Sequence, residues 1–301
     1  MARITAARRR EFIQHALPAW FRRVRRELPW RGRDDPYAIW VSEVMLQQTR
    51  AATVARYFEP FLERFPDAAT LAAAPLDDVL KAWEGMGYYG RARNLHRAAG
   101  VVVERCGGRL PRDPADLRRL PGVGAYTAGA IASIAFGLDE PVLDGNVTRV
   151  LCRVHLIRRP PAEPHVQRRL WRLARKLIPP GQAARMNQAL MDLGATVCLP
   201  RGPACGQCPV EGVCRARAAG AEERLPARAP RRPTPHQTVA VGIVRRGGRI
   251  LIGRRRPEGL LGGLWELPGG KRAGREPLAE TARRETREET GVDVRPSGKL
   301  V

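Results

Sequence analysis

Four cysteines in the second half of the chain constrain its folding more than any other feature. Cys198, Cys205, Cys208 and Cys214 fall within 17 residues, at spacings of six, two and five intervening positions. Thiolates so close in sequence would close the backbone into a compact loop around zinc or an iron–sulfur cluster, and the spacing alone does not decide between them. With six cysteines in 301 residues and no signal peptide, the expectation is a reducing compartment and a metal site, not a disulfide framework. Cys106 and Cys152 stand apart and are expected to be buried packing residues.

The charge narrows the partner. Fifty-three Lys and Arg against thirty Asp and Glu give +23. Arginine dominates; the lysines are Lys81, Lys176, Lys271 and Lys299. Such a charge points to a polyanion, most simply nucleic acid, although a solvated arginine-rich surface has the same composition. From position 236 onward there are 14 basic and 8 acidic residues, which leaves +17 for the remainder. No apolar run is long enough to span a bilayer, so no membrane partner is expected.

The chain up to about 200 reads as successive helices. Residues 2–26 are arginine-rich like a transit segment, but Glu11 and Glu27 interrupt them. Phe12, Ala16, Trp20 and Val24 make an apolar stripe, so the segment is expected to be a first amphipathic helix. Asp35-Pro36 and Asp113-Pro114 each place an N-cap aspartate before a proline at the first helical position. Apolar residues recur at helical spacing through 38–58, 68–83, 91–104, 125–136, 147–154 and 166–178. Residues 225–236 form a proline-rich, extended linker. Beyond it, 239–244 and 250–252 read as strands joined by a tight Gly247-Gly248 turn, and 277–290 as a helix. The expected domains are therefore 1–224 and 237–301.

Three places carry candidate chemistry. Leu120-Pro-Gly-Val-Gly124 joins two helices, and Gly122 and Gly124 let the backbone approach a ligand closely. Amides at the start of the next helix would then face an anion such as a DNA phosphate; an ordinary helix–helix turn has the same pattern. Glu43 sits in an apolar helix, where desolvation would raise its pKa and make it a general acid. Asp144 sits in a turn whose amides would keep it ionised. One protonated and one ionised carboxyl is the pairing that glycoside cleavage requires. Taken singly, a helix glutamate is usually solvated and Asp-Gly is usually only a turn.

Longer motifs bind these places together. Glu43-Val-Met-Leu-Gln-Gln-Thr49, Gly85-Met-Gly-Tyr-Tyr-Gly-Arg91, Leu120-Pro-Gly-Val-Gly-Ala-Tyr-Thr-Ala-Gly129 and Leu143-Asp-Gly-Asn146 occur in this order. From about residue 8 to 220 the chain resembles the MutY-type adenine DNA glycosylases of the helix-hairpin-helix superfamily that includes endonuclease III. The resemblance implies a mainly α, two-lobed glycosylase with a 4Fe–4S cluster on the four cysteines. It implies double-stranded DNA containing adenine mispairs as partner, and a monomer in the bacterial cytoplasm, at the nucleoid through DNA. The implied reaction is base flipping followed by hydrolysis of the N-glycosidic bond of adenine opposite 8-oxoguanine or guanine. Glu43 would protonate adenine N7 and later activate water; Asp144 would stabilise the oxocarbenium-like sugar; Tyr126 and Asn146 would support them. Arg26, Leu28, Trp30, Arg31 and Gln188 resemble the adenine pocket, Gln48 and Tyr88 the wedge that enters the base stack, and Thr49 a substrate contact beside it. Tyr126 stands where endonuclease III-like relatives carry a Schiff-base lysine, so a monofunctional enzyme is expected. Arg201, Arg215 and Arg217 would touch phosphates beside the cysteine loop.

The last 66 residues resemble part of a Nudix domain, a partial α/β unit. Gly270, Glu276, Arg284, Glu285, Glu288, Glu289 and Gly291 match the Nudix box, with Thr286 in place of a bulky aliphatic residue. Glu285, Glu288 and Glu289 share one helix face and would repel one another unless a hard cation such as Mg²⁺ neutralised them. The box then implies either Mg²⁺-dependent nucleotide pyrophosphatase activity or an inherited scaffold, and the scaffold is favoured because only about half of a Nudix domain precedes Val301. The loop with which the family reads 8-oxoguanine is absent, and no histidine follows His236. A DNA-binding protein without catalysis is the remaining alternative.

Overall fold

The computed structural model describes residues 4–228, 235–256 and 262–298, so the middle of the proline-rich linker, residues 229–234, and Lys299 lie outside it. The chain divides into two compact units, Met1–Ala229 and Pro230–Val301. Among the described residues no helix is long and apolar enough to cross a membrane.

The first unit is helical throughout. Helix α1 (Ala6–Val24) buries Ile13, Leu17, Trp20 and Phe21. The expected stripe is thus only partly right: Phe12 and Val24 are 45% and 47% exposed. A pure i+4 row drifts around the helix, because four residues exceed one turn, whereas the observed i, i+4, i+7, i+8 set stays on one face. Helix α2 (Pro36–Leu46) starts as the sequence implies, with Asp35 accepting from the amides of Tyr37 and Ala38. It does not run on to residue 58. Gln48 turns left-handed (φ +59°), and a separate α3 (Ala51–Arg64) follows. The 68–83 segment also splits, into α4 (Ala68–Ala73) and α5 (Leu76–Ala82). Pro75 intervenes, and a proline disfavours helical backbone at the residue before it.

Next come α6 (Gly90–Cys106), the short α7 (Pro114–Leu117), capped by Asp113, and α8 (Ala125–Ile134). Then follow α9 (Gly145–Val154), α10 (Pro164–Leu177), α11 (Ala183–Thr196) and, after the cysteines, α12 (Arg215–Ala218). The sequence reading assigns no separate helix to α11, although Met186, Ala189, Leu190 and Leu193 recur at helical spacing and are buried. Two apolar cores result. One gathers α2 to α6 around Trp40, Phe58, Phe61 and Trp83. The other gathers α1, α9, α10 and α11 around Leu17, Leu151, Leu170 and Leu190. Helix α8 serves both, giving Ile131 to the first and Ala130 to the second. Cys152 is buried as expected; Cys106 is only partly buried.

Among its described residues the second unit holds three antiparallel strand pairs and one helix. Strand β1 (Val239–Val241) pairs with β6 (Gly269–Lys271), β2 (Arg245–Arg246) with β3 (Arg249–Ile250), and β4 (Gly253–Arg254) with β5 (Trp265–Glu266). The turn at Gly247-Gly248, both with positive φ, is as expected. It joins β2 to β3; β1 finds its partner thirty residues on, because the Gly242 amide continues the β6 ladder onto the Pro268 carbonyl. Helix α13 (Leu278–Thr290) packs on β1 and β6.

Candidate active site

A cavity of about 560 Å³, counting its open mouth, lies in the first unit. Its walls come from the segment after α1 (Arg26, Leu28, Trp30, Arg31), from α2 (Ser42, Glu43, Leu46), from α8 (Tyr126, Ile134) and from α11 (Gln188, Met191). Residues from four parts of the chain thus meet at one space, and they include seven of the residues that the resemblance singles out. Asp144 and Asn146 are not among the lining residues, although Asp144 is near enough to act on Glu43 electrostatically; Gln48, Thr49 and Tyr88 lie on other loops.

Glu43 owes its state to its helix. Residues 37–45 of α2 are all buried, and Glu43 is 4% exposed. Burial pushes its carboxyl up to about 7, with nearby Asp144 adding to the rise. The hydroxyl of Tyr126 donates to Glu43 Oε2 at 2.8 Å and, with the charge of Arg31, pulls the other way. Burial also holds the Tyr126 phenol well above its usual range, so it stays a donor.

Asp144 caps α9. It accepts from the Val147 amide at 2.7 Å and from Asn146 Nδ2 at 2.9 Å. Those bonds lower its pKa, as the sequence reading expects, but desolvation outweighs them and the net direction is upward. Asn146 is itself fixed by Arg149, which donates to Asn146 Oδ1 (2.8 Å), to the carbonyl of Gly194 (2.7 Å) and to that of Cys198 (2.7 Å). Gly194 permits this approach: a Cβ there would lie 2.5 Å from that of Asn146.

Two functional positions escape the sequence reading. Asp192, 1% exposed on α11, accepts from Arg26 Nε (2.7 Å) and from both terminal nitrogens of Arg31 (2.6 and 2.8 Å). It sets the pose of two cavity-wall arginines. Arg149 ties the Asp144 turn to the cysteine loop. Neither side chain has a local signal; each is identified by partners 45 or more residues away.

The hairpin runs from α7 to α8. Gly122 has φ +77°, and a Cβ there would lie 2.8 Å from that of Asn94. Gly124 is the N-cap of α8, supplies no side-chain cap, and faces open space. The first amides of α8 therefore lack a side-chain acceptor and point where the helix dipole favours an anion. Gly122→Ala is expected to destabilise the protein by about 2 kcal/mol or more, from left-handed strain plus the Asn94 collision. Gly124→Ala should act on duplex affinity instead. Urea unfolding and duplex titration of the two variants check both statements, and a Gly122→Ala protein of unchanged stability would contradict the first.

Cys198, Cys205, Cys208 and Cys214 line one cavity of about 390 Å³ whose other walls include Val150, Val154, Leu193, Val197 and Val210. Arg153, 1% exposed, reaches Cys198 Sγ at 3.2 Å and the Leu199 carbonyl at 2.7 Å. Among the described residues no three Cys, His, Asp or Glu side chains converge on a single-ion site. Arg201 and Arg215 are exposed beside the loop. Arg217 is engaged by Glu211 (3.1 Å) and Glu222 (2.9 Å), so its charge is largely spent within the protein rather than free for phosphate.

In the second unit the expected self-repulsion of the acidic helix face is relieved from within. Arg284 contacts Glu276 (3.1 Å), Glu285 (2.8 Å) and Glu288 (3.2 Å), and Glu289 accepts from the Gly269 amide (3.1 Å). Thr286, which replaces a bulky apolar residue in the box, is fully buried and turns its hydroxyl back onto the Ala282 carbonyl.

Both units resemble known proteins. Residues 41–176 match the family described as HhH-GPD superfamily base excision DNA repair protein, and residues 239–300 match a NUDIX domain. The human adenine DNA glycosylase is 41% identical over 84% of this chain and 56% of its own length. The Arabidopsis thaliana adenine DNA glycosylase is 36% identical over 85% of this chain and 47% of its own. The chain thus spans about half the length of these two relatives. A solved thermostable thymine-DNA glycosylase superposes with a TM-score of 0.65 at 30% identity, over 71% of this chain and 98% of that one. An endonuclease III–DNA complex, 22% identical with a TM-score of 0.62, shares the fold over 72% of this chain and 99% of its own. With nearly all of the thymine glycosylase structure covered at 30% identity, and the helix-hairpin-helix match running from α2 to α10, the chain belongs to the HhH-GPD superfamily of base excision DNA repair proteins.

Proposed function

We propose that the protein is a monofunctional adenine DNA glycosylase that extrudes adenine from a mispair with 8-oxoguanine or guanine and hydrolyses its N-glycosidic bond. The observation that carries this is Glu43: a buried carboxyl raised to about 7 on the wall of a cavity, bonded to Tyr126 and electrostatically coupled to Asp144. At neutral pH a large fraction of Glu43 holds its proton and can deliver it to adenine N7, which makes the base a better leaving group. As the bond lengthens, positive charge grows on the sugar. That charge favours ionised Asp144, whose bonds from Val147 and Asn146 already support the anion. Glu43, now ionised, accepts a proton from the attacking water. Arg26, Leu28, Trp30, Arg31 and Gln188 surround the base, and Gln48 and Tyr88 fill the gap it leaves, with Thr49 beside them. Gly122 and Gly124 hold a backbone phosphate. No lysine lines the cavity among the described residues, and the tyrosine at position 126 supplies no amine for a Schiff base, which supports hydrolysis without strand cutting.

The human and Arabidopsis relatives named as adenine glycosylases support the choice of base. The test is release of free adenine, in single turnovers, from duplexes with adenine opposite 8-oxoguanine, guanine and thymine, with and without Mg²⁺. Release from the first two without Mg²⁺ is expected. Intact duplex, with pyrophosphate or phosphate freed from nucleotides only when Mg²⁺ is present, would favour a Nudix hydrolase instead. The pairing of Arg284 with Glu276, Glu285 and Glu288 supports the Nudix box as scaffold.

The four cysteines fit a 4Fe–4S cluster. They offer four soft thiolates to one cavity, and it is the resemblance to the endonuclease III-like and adenine glycosylases, not the spacing, that favours the cluster over zinc. When bound, the cluster supplies a structural clamp on 198–214, and with it the carbonyl of Cys198 that Arg149 holds. Purified protein is expected to be brown, with a broad visible band and about four irons per chain; a colourless protein with stoichiometric zinc would contradict the assignment.

A further inference from the structure

Among the described residues three that are not glycine adopt left-handed backbone, Leu156 and two on separate loops: Gln48, past the end of α2, at φ +59°, and Tyr88, just before α6, at φ +51°. Such a conformation costs an ordinary residue about 1–2 kcal/mol and persists only where its surroundings impose it. Both loops are held by one side chain. Arg91 Nη1 donates to the carbonyls of Val44 (3.2 Å), Met45 (2.7 Å) and Gln47 (2.6 Å). Its Nη2 donates to Thr49 Oγ1 (3.0 Å) and to the carbonyls of Gly87 (3.0 Å) and Met86 (3.4 Å). The residues on both sides of Gln48 and the one preceding Tyr88 therefore share a single guanidinium.

The same group lies 5.5 Å from the Tyr88 ring centre and 5.3 Å from that of Trp83. Arg91 is 8% exposed, its six acceptors include no carboxylate, and its Nε is buried without a partner among the described residues. What holds the cation is the carbonyl end of α2, where the helix dipole favours positive charge, together with two aromatic faces. Lysine could not reproduce this, because an ammonium lacks the planar fork that spans both loops. Tyr88 itself is 61% exposed, and Gln48 is exposed.

We propose that Arg91 is a positioning residue that fastens Gln48 and Tyr88 into one rigid two-pronged element, so that both enter the base stack together when the nucleotide leaves it. The inference rests on the glycosylase reading above. The experiment uses the full chain and a duplex with 2-aminopurine opposite 8-oxoguanine, whose fluorescence rises on unstacking, beside adenine release from the matching adenine duplex and from a bulged, already unstacked adenine. Arg91→Lys is expected to slow the fluorescence rise and release from the paired duplex about tenfold or more, while release from the bulge changes less than about twofold. Equal slowing on both adenine substrates, or on neither, overturns the inference. Should Arg91→Lys fail to fold, Gln48→Ala and Tyr88→Ala decide in the native background. Prongs that act as one unit give a double variant no slower than the worse single one, and multiplying effects overturn the inference. Wild-type protein that neither unstacks the probe nor releases adenine overturns the glycosylase reading and the inference with it. Wild-type protein that does both while Arg91→Lys matches it overturns the inference alone.

Discussion

Glu43→Gln is expected to lose adenine release by about 10²- to 10⁴-fold, the usual share of a general acid–base, and to gain stability at neutral pH. The two effects have one cause. The folded protein holds the Glu43 proton up to about 7, whereas the unfolded chain releases it near 4.5. Between those values the folded state binds more protons, so stability falls as pH rises through the window and the full cost is present above it. A difference of that size corresponds to about 3 kcal/mol as an upper figure. Glutamine does not titrate and keeps an acceptor for Tyr126. The variant's advantage in urea unfolding should therefore be absent below about pH 4.5, grow to pH 7 and stay level beyond. A variant that is less stable at pH 8, or whose advantage ignores pH, would show that burial is not what raises this carboxyl.

Asp192→Ala is expected to be the most destabilising substitution at the site, by about 3–5 kcal/mol. The carboxylate is 1% exposed and receives three side-chain bonds of 2.6 to 2.8 Å from Arg26 and Arg31. Without it two guanidinium groups face each other in the cavity wall. The Arg31 side chain, 13% exposed, reaches solvent only by leaving its place. Release of adenine should fall in the same variant, because both arginines line the space for the base. Asp192→Asn keeps the volume and one acceptor and should lose less. Urea unfolding of the two variants measures this, and a loss below about 1 kcal/mol for Asp192→Ala would mean that the arginines find other partners.

What was legible in the sequence was local. Asp35-Pro36 and Asp113-Pro114 announce their helices because a cap needs only the next three residues. The Gly247-Gly248 turn and α13 are equally self-contained. Helix α2, by contrast, stops at Leu46, and its end is held by Arg91, which takes the Met45 and Gln47 carbonyls from more than forty residues away; nothing in 38–58 records that. The strand 239–241 pairs with 269–271 and not with its neighbour, for a similar reason. At the site, apolar neighbours pointed to a desolvated Glu43, since α2 has no polar face. For Asp144 the turn amides are visible in the sequence, but the desolvation that outweighs them is not. Asp192 carries no local mark, because its partners lie 161 and 166 residues back.

The central claim is that Glu43 acts as the proton donor from a buried, raised state. The measurement closest to it is the kcat/KM profile for adenine release between about pH 5 and 9, which reports the free protein's essential groups. The profile is expected to fall on the alkaline side with a midpoint near the value of about 7 that burial gives Glu43. A rate that stays flat through neutrality, or an alkaline limb that survives unchanged in an active Glu43→Gln protein, would contradict it.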